Sequence, residues 1–112
     1  MKTLRNVKWI NPKDLKEDIN TFENLIDNYI NGKIGSLMFM MHTQTMITRV
    51  TRITENGARV AEMRHLQYKL DKLIAADKEL DTDTDELRLK VRDIADEVIE
   101  NMYAEYVRDH VR

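Results

Sequence analysis

Arg49, Arg52, Arg59 and Arg64 are the side chains of this 112-residue sequence best suited to recognising another molecule. On a helix, Arg49, Arg52 and Arg59 fall on one face with Asn56 between them, and Arg64, Lys69 and Lys72 extend the basic character. A guanidinium is a planar fork that meets a carboxylate or phosphate with two hydrogen bonds at once, so such a row fits an anionic group. Upstream, Met38, Met40, Met41 and Met46 crowd nine residues, and their unbranched thioether chains adapt to varied surfaces. Two uses compete. In the first, segment 37–64 grips a protein partner, with Met40 and Met41 as adaptable apolar contacts beside the arginines. In the second, Arg49, Arg52, Arg59 and Arg64 hold a nucleic acid or an anionic nucleotide. The plainer reading of both features is structural: methionines at helical spacing fill cores, and basic faces pair with acidic helices. A sequence pI of 5.9 also argues against a dedicated nucleic-acid binder.

Catalytic and metal chemistry finds less support. Glu62-Met63-Arg64-His65 has the Glu-x-x-His spacing that places two metal ligands on one helical face. A di-iron site needs a second such motif and two further carboxylates, and neither His42 nor His110 completes one. Asp14, Glu17 and Asp18 with Asp93, Asp96, Glu97 and Glu100 raise a magnesium site. Glu97-x-x-Glu100 is similar to half of the pattern of the all-α magnesium-dependent nucleotide pyrophosphohydrolases, but no Glu-x-x-Asp follows it. The chain has no cysteine, no glycine-rich phosphate loop and no Gly-x-Ser-x-Gly elbow. The expectation is a protein that is not an enzyme and carries no metal or cofactor.

Composition narrows the class. Charged residues make up 34% and aromatic ones 6%, with one Pro and three Gly, a balance that suits helices rather than a sandwich or barrel. The longest apolar run, Leu37 to Met41, is far too short to span a bilayer, and the N-terminus has no signal-peptide apolar stretch, so a soluble, cytoplasmic protein with no membrane partner is expected. The net charge of −2 is unevenly spread. Residues 1–47 sum to +1, residues 48–75 to +3 and residues 76–112 to −6. A basic middle and an acidic C-terminal helix attract each other when antiparallel, within one chain or between protomers.

The elements that must position these residues follow from periodicity. An arm over 1–10 contains Trp9, which anchors it by indole burial. Asn11-Pro12-Lys13-Asp14 opens a helix, Leu15, Ile19, Phe22, Leu25, Ile26 and Ile30 form its apolar face, and Asn31-Gly32 closes it. The stretch from Met46 to Ile74 organises the rest, with Met46, Val50, Ile53, Val60, Met63, Leu66, Leu70, Leu73 and Ile74 recurring three or four places apart. Local propensity dissents: five threonines between 43 and 54 favour strand, and Asn56-Gly57 is a hairpin signal. A hairpin there leaves neither face apolar, so helix is preferred, with the seam rotating at 56–57. Unbroken over 36–80, that helix would be roughly 68 Å long and would require sister chains to cover it. Ser36 is a candidate cap at its start. Asp81 to Glu86 forms a polar turn with a Thr cap, opening a last helix whose face is Leu87, Val91, Ile94, Ala95, Val98, Ile99, Met102, Tyr106 and Val107.

The sequence thus predicts one all-α domain over 1–112: three helices at about 12–30, 36–80 (kinked or broken at 56–57) and 84–110, plus the arm. The alternative is α+β with a hairpin around Asn56-Gly57. The expected function is that of a non-enzymatic, coiled-coil-like helical homo-oligomer binding a macromolecular partner in a regulatory, adaptor or accessory role, small phage-type accessory proteins included.

Overall fold

The computed structural model describes residues 12–80 and 83–111, with side chains for 15–76 and 83–106. Four helices follow one another: α1 (Pro12–Ile30), α2 (Ser36–Ile53), α3 (Gly57–Leu80) and α4 (Asp85–Val111), and the described residues contain no strand. The expected arm, Trp9 and the Asn11 cap lie outside the described residues.

α1 ends where its sequence signal places the end. Gly32 takes a φ of +75°, its N–H donates to Tyr29 O at 3.0 Å, and the Lys33 N–H donates to Asn28 O at 2.8 Å. This is the pair of bonds by which a left-handed residue closes a helix, and glycine adopts it without a Cβ penalty.

The central element is two helices rather than one, which makes the count four instead of three. Thr54 leaves α2 with extended backbone while its N–H still reaches Val50 O at 3.0 Å. Asn56 then caps α3, its Oδ1 accepting the Ala58 and Arg59 N–H groups at 2.9 and 3.4 Å. Asn56-Gly57 is therefore a helix start, and the alternative of a β-hairpin does not form. The break forgoes a few backbone hydrogen bonds worth about 1 kcal/mol each, part of which the caps return. Folding back places Met46, Ile47 and Val50 in one core with Met63, Leu66 and Leu70, at about 1.5–3 kcal/mol per buried side chain. Burial wins, and the stripe that a straight helix would have offered to sister chains is covered within the chain.

The threonines fit a helix by bonding inward. Thr43, Thr45, Thr48 and Thr51 each donate a hydroxyl to the carbonyl four residues earlier, at 2.8 to 3.2 Å. Such back-bonding satisfies each hydroxyl within the helix itself, at a small cost that burial of the inward side of α2 exceeds.

Neighbouring helices are antiparallel. α2 and α4 pack on each other through the middle of the bundle, and each also packs on both α1 and α3, which flank them. α2 and α4 run the same way: Ser36 meets Asp83 at one end, and Thr54 meets Glu105 at the other. The core includes an aromatic stack in which Phe39 lies 5.8 Å from Phe22 and 4.3 Å from Tyr29. Leu15, Ile19 and Phe22 are buried as expected, but Ile30 is exposed and Tyr29 takes the inward position.

Candidate functional site

α2 carries no Asp or Glu in its 18 residues. Its inward side holds Phe39, Met40, Met46, Ile47 and Val50, and its outward side presents Met38, Met41, His42, Thr45, Arg49 and Arg52 to solvent. Met38 is 59% exposed and Met41 52%, whereas Met40 has no exposed surface. The cluster of methionines thus divides by helical phase: Met40 and Met46 fill the core, and Met40 drops out of the expected contact set. Met38 takes its place on the outside.

The arginines also part. The break at 54–56 sets Arg49 and Arg52 on one helix and Arg59 and Arg64 on another, antiparallel to it, so the expected single row does not form. Arg52 and Arg64 both line the α2–α3 groove, a depression of roughly 410 Å³ also lined by Gln44, Ile47, Thr48, Thr51, Gln67 and Asp71, whose carboxylate accepts from Gln67 at 2.7 Å. Among the described residues neither arginine has an ion-pair partner. Arg49 turns to α1, 3.3 Å from Asp18 Oδ2, on an exposed rim where such a pair contributes little. Arg59 turns inward to α4.

Around Arg59 lies a buried polar cluster. Glu105 is fully buried, accepts the Thr54 hydroxyl at 2.6 Å and sits 2.6 Å from Arg59 Nε. The Nε–H does not point along that line, so the contact is ionic rather than an aligned hydrogen bond. Arg59 Nη1 donates to Asn101 Oδ1, and Asn101 Nδ2 donates to Glu97 O at 2.7 Å and Glu62 Oε2 at 3.2 Å. Here the antiparallel attraction of the basic middle for the acidic C-terminal helix is realised, through the Arg59–Glu105 ion pair. Sequence reasoning missed Glu105, although it continues the three-and-four spacing of Val91, Val98 and Met102. Glu62 accepts from Asn101 while His65 is exposed, and among the described residues no group of three or more metal-ligating side chains gathers.

A second polar cluster closes the opposite end. Thr84 caps α4, its hydroxyl accepting the Leu87 N–H at 3.1 Å, with Asp85 and Glu86 in the first turn as the helix dipole favours. Asp83, one residue earlier, reaches across the bundle. Its carboxylate accepts the Ser36 N–H at 3.1 Å, the Ser36 hydroxyl, and Arg88 Nη1 at 2.7 Å. The cap of α2 is thus a side chain 47 residues away, while Ser36 is the first residue of the helix and shares its hydroxyl with Tyr29 at 2.6 Å. Burial pushes the Asp83 carboxyl up, but the two hydrogen bonds from Ser36 and the Arg88 charge outweigh it, leaving it below the ordinary aspartate value. Arg88 also donates to Tyr29 O and lies 4.1 Å from the Tyr29 ring centroid. On the outer surface, the Tyr103 hydroxyl donates to Glu23, and that bond raises the phenol above its usual value.

Both clusters are consumed by bonds within the chain, whereas the outer face of α2 and the groove beside it stay open. No described helix is long and apolar enough to cross a membrane. Comparison with protein-family models, with curated proteins and with solved structures finds no match to this chain.

Proposed function

We propose that the protein acts by binding a protein partner, in a regulatory, adaptor or accessory role, through the outer face of α2 and its groove with α3. The observation that supports this is a helix face with two methionines more than half exposed and no acidic residue, ending in Arg52 beside Arg64. Exposed thioethers give adaptable apolar contact, and unpaired guanidinium groups at the rim select an acidic complement and set its orientation. The nucleic-acid reading loses two of its four arginines, Arg49 to Asp18 and Arg59 to Glu105. Chemistry on a substrate has little to work with, because the buried carboxylate Glu105 is already occupied by Thr54 and Arg59.

A photo-crosslinking side chain placed at Thr45 of the full chain, in cells expressing it, tests the reading. The expected result is a discrete adduct from position 45, lost when Arg52→Glu and Arg64→Glu are combined, and absent when the crosslinker sits at Asn20 on the outside of α1. No adduct from position 45, or the same adducts from position 20, overturns it.

A further inference from the structure

The charges of the four helices have an order to them. α1 and α4 together carry six cations against thirteen acids, a net −7, while α2 and α3 carry seven against four, a net +3. On the outer face of α4, Asp93, Asp96 and Glu100 are exposed, and among the described residues none has an ion-pair partner. They are bracketed by two exposed apolar side chains, Leu89 at 62% and Tyr103 at 42%.

The two outer faces match in spacing as well as in charge. Met38, His42, Thr45, Arg49 and Arg52 on α2 are separated by four, three, four and three residues. Leu89, Asp93, Asp96, Glu100 and Tyr103 on α4 repeat that interval. Laid side by side and parallel, Met38 meets Leu89, His42 meets Asp93, Thr45 meets Asp96, Arg49 meets Glu100, and Arg52 meets the Tyr103 ring. Apolar contact, charge pairing and cation–π attraction fall in one register.

The geometry points to a second copy of this chain as the occupant of the α2 face: copies associate side by side in one orientation, α2 of each docking on α4 of the next. This rests on the α2 face being the binding surface and names what it binds. α2 and α4 run the same way and pack inner side to inner side, which leaves their exposed sides on opposite flanks of the bundle, so a copy shifted sideways without rotation presents a parallel α4 to a parallel α2. The contact is heterologous and leaves a free α2 and a free α4 at the two ends, so it propagates instead of closing. One side of a bundle 43 × 25 × 24 Å offers about 1,000 Å² in projection, enough for the roughly 800 Å² per partner of an ordinary interface. The exposed Arg49–Asp18 pair yields readily, since such pairs contribute little in water.

Sedimentation velocity of the full chain at low and high salt tests this. The expected result is a series of species extending beyond the dimer as concentration rises in dilute buffer, with an association constant at least about tenfold lower in roughly 0.5 M NaCl, where screening shortens charge interactions to a few ångströms. Arg49→Glu with Arg52→Glu, and separately Asp96→Lys with Glu100→Lys, each give monomers, and mixing the two variants restores association. Recovery on mixing shows that both variants are folded. A monomer at every concentration, a closed dimer, or association indifferent to both reversals overturns the arrangement. The crosslink at Thr45 separates the two readings: an adduct of two copies of this chain supports both, and an adduct with a different protein sinks self-association while leaving the α2 surface in place.

Discussion

Asp83 sits in a polar turn where sequence reasoning sees only a helix start, yet its carboxylate holds the first turn of α2 and the Arg88 clamp on the α1–α2 connection. Its pKa is lower in the folded chain than in the unfolded one, so the ionised form is what folding favours. The stability it contributes is fully present above the unfolded pKa and is lost as pH falls through the folded one. Asp83→Asn keeps one acceptor oxygen but removes the charge and the second oxygen that Ser36 and Arg88 share, and is therefore expected to lower stability near pH 7 by about 1 kcal/mol. The gap between variant and parent should narrow as pH falls through the folded pKa and the parent carboxyl takes up its own proton. Urea denaturation of both proteins over a descending series of pH values checks this, and an acid-independent gap contradicts it. Neither Asp83 nor Glu105 could be assigned from local pattern. Their partners lie 47 and 51 residues away, and no periodicity encodes a tertiary hydrogen bond. What was legible at this scale was local: Gly32 as a left-handed stop and a threonine cap within the 81–86 turn, which is Thr84, because each acts within a turn of its own position.

At the scale of the element, the apolar spacing from Met46 to Leu70 identified helix against the threonines and against Asn56-Gly57. The break escaped full definition because one sequence signal serves two structures. Asn followed by Gly suits a tight turn, and it equally suits a cap with a small residue opening the next helix. Only the rotation of the seam distinguished them. Two substitutions report on the outcome with opposite signs. Asn56→Ala removes the oxygen that accepts the Ala58 and Arg59 N–H groups and should cost about 0.5–2 kcal/mol. Gly57→Ala should stabilise by about 0.5–1 kcal/mol, since an added Cβ meets no atom within 4 Å and the unfolded chain loses freedom. In a continuous 36–80 helix both changes would stabilise, alanine being the better helix former at either position. Thermal or urea unfolding of the two variants thus reads the break directly, through the sign at position 56.

At the scale of the whole molecule, the question is whether the central stripe is covered by the chain itself or by its neighbours. Sequence periodicity states that Met46, Val50, Met63, Leu66 and Leu70 must be buried, and they are, but periodicity is silent about which chain buries them. Turn chemistry decides it, because three residues of connection between α2 and α3 suffice for an antiparallel return that fills one core. The side-by-side contact proposed for α2 and α4 is a separate layer: it uses exposed residues, depends on charge and weakens at high salt, whereas the core persists. Folding in roughly 0.5 M NaCl should therefore be that of an independent monomer, with an unfolding midpoint unchanged over a hundredfold range of protein concentration. An inter-chain stripe would instead couple folding to association and raise the midpoint by roughly 5–10 °C over that range. Calorimetry at the two concentration extremes distinguishes these outcomes, and only the concentration-independent one is compatible with a bundle whose four helices cover their own core.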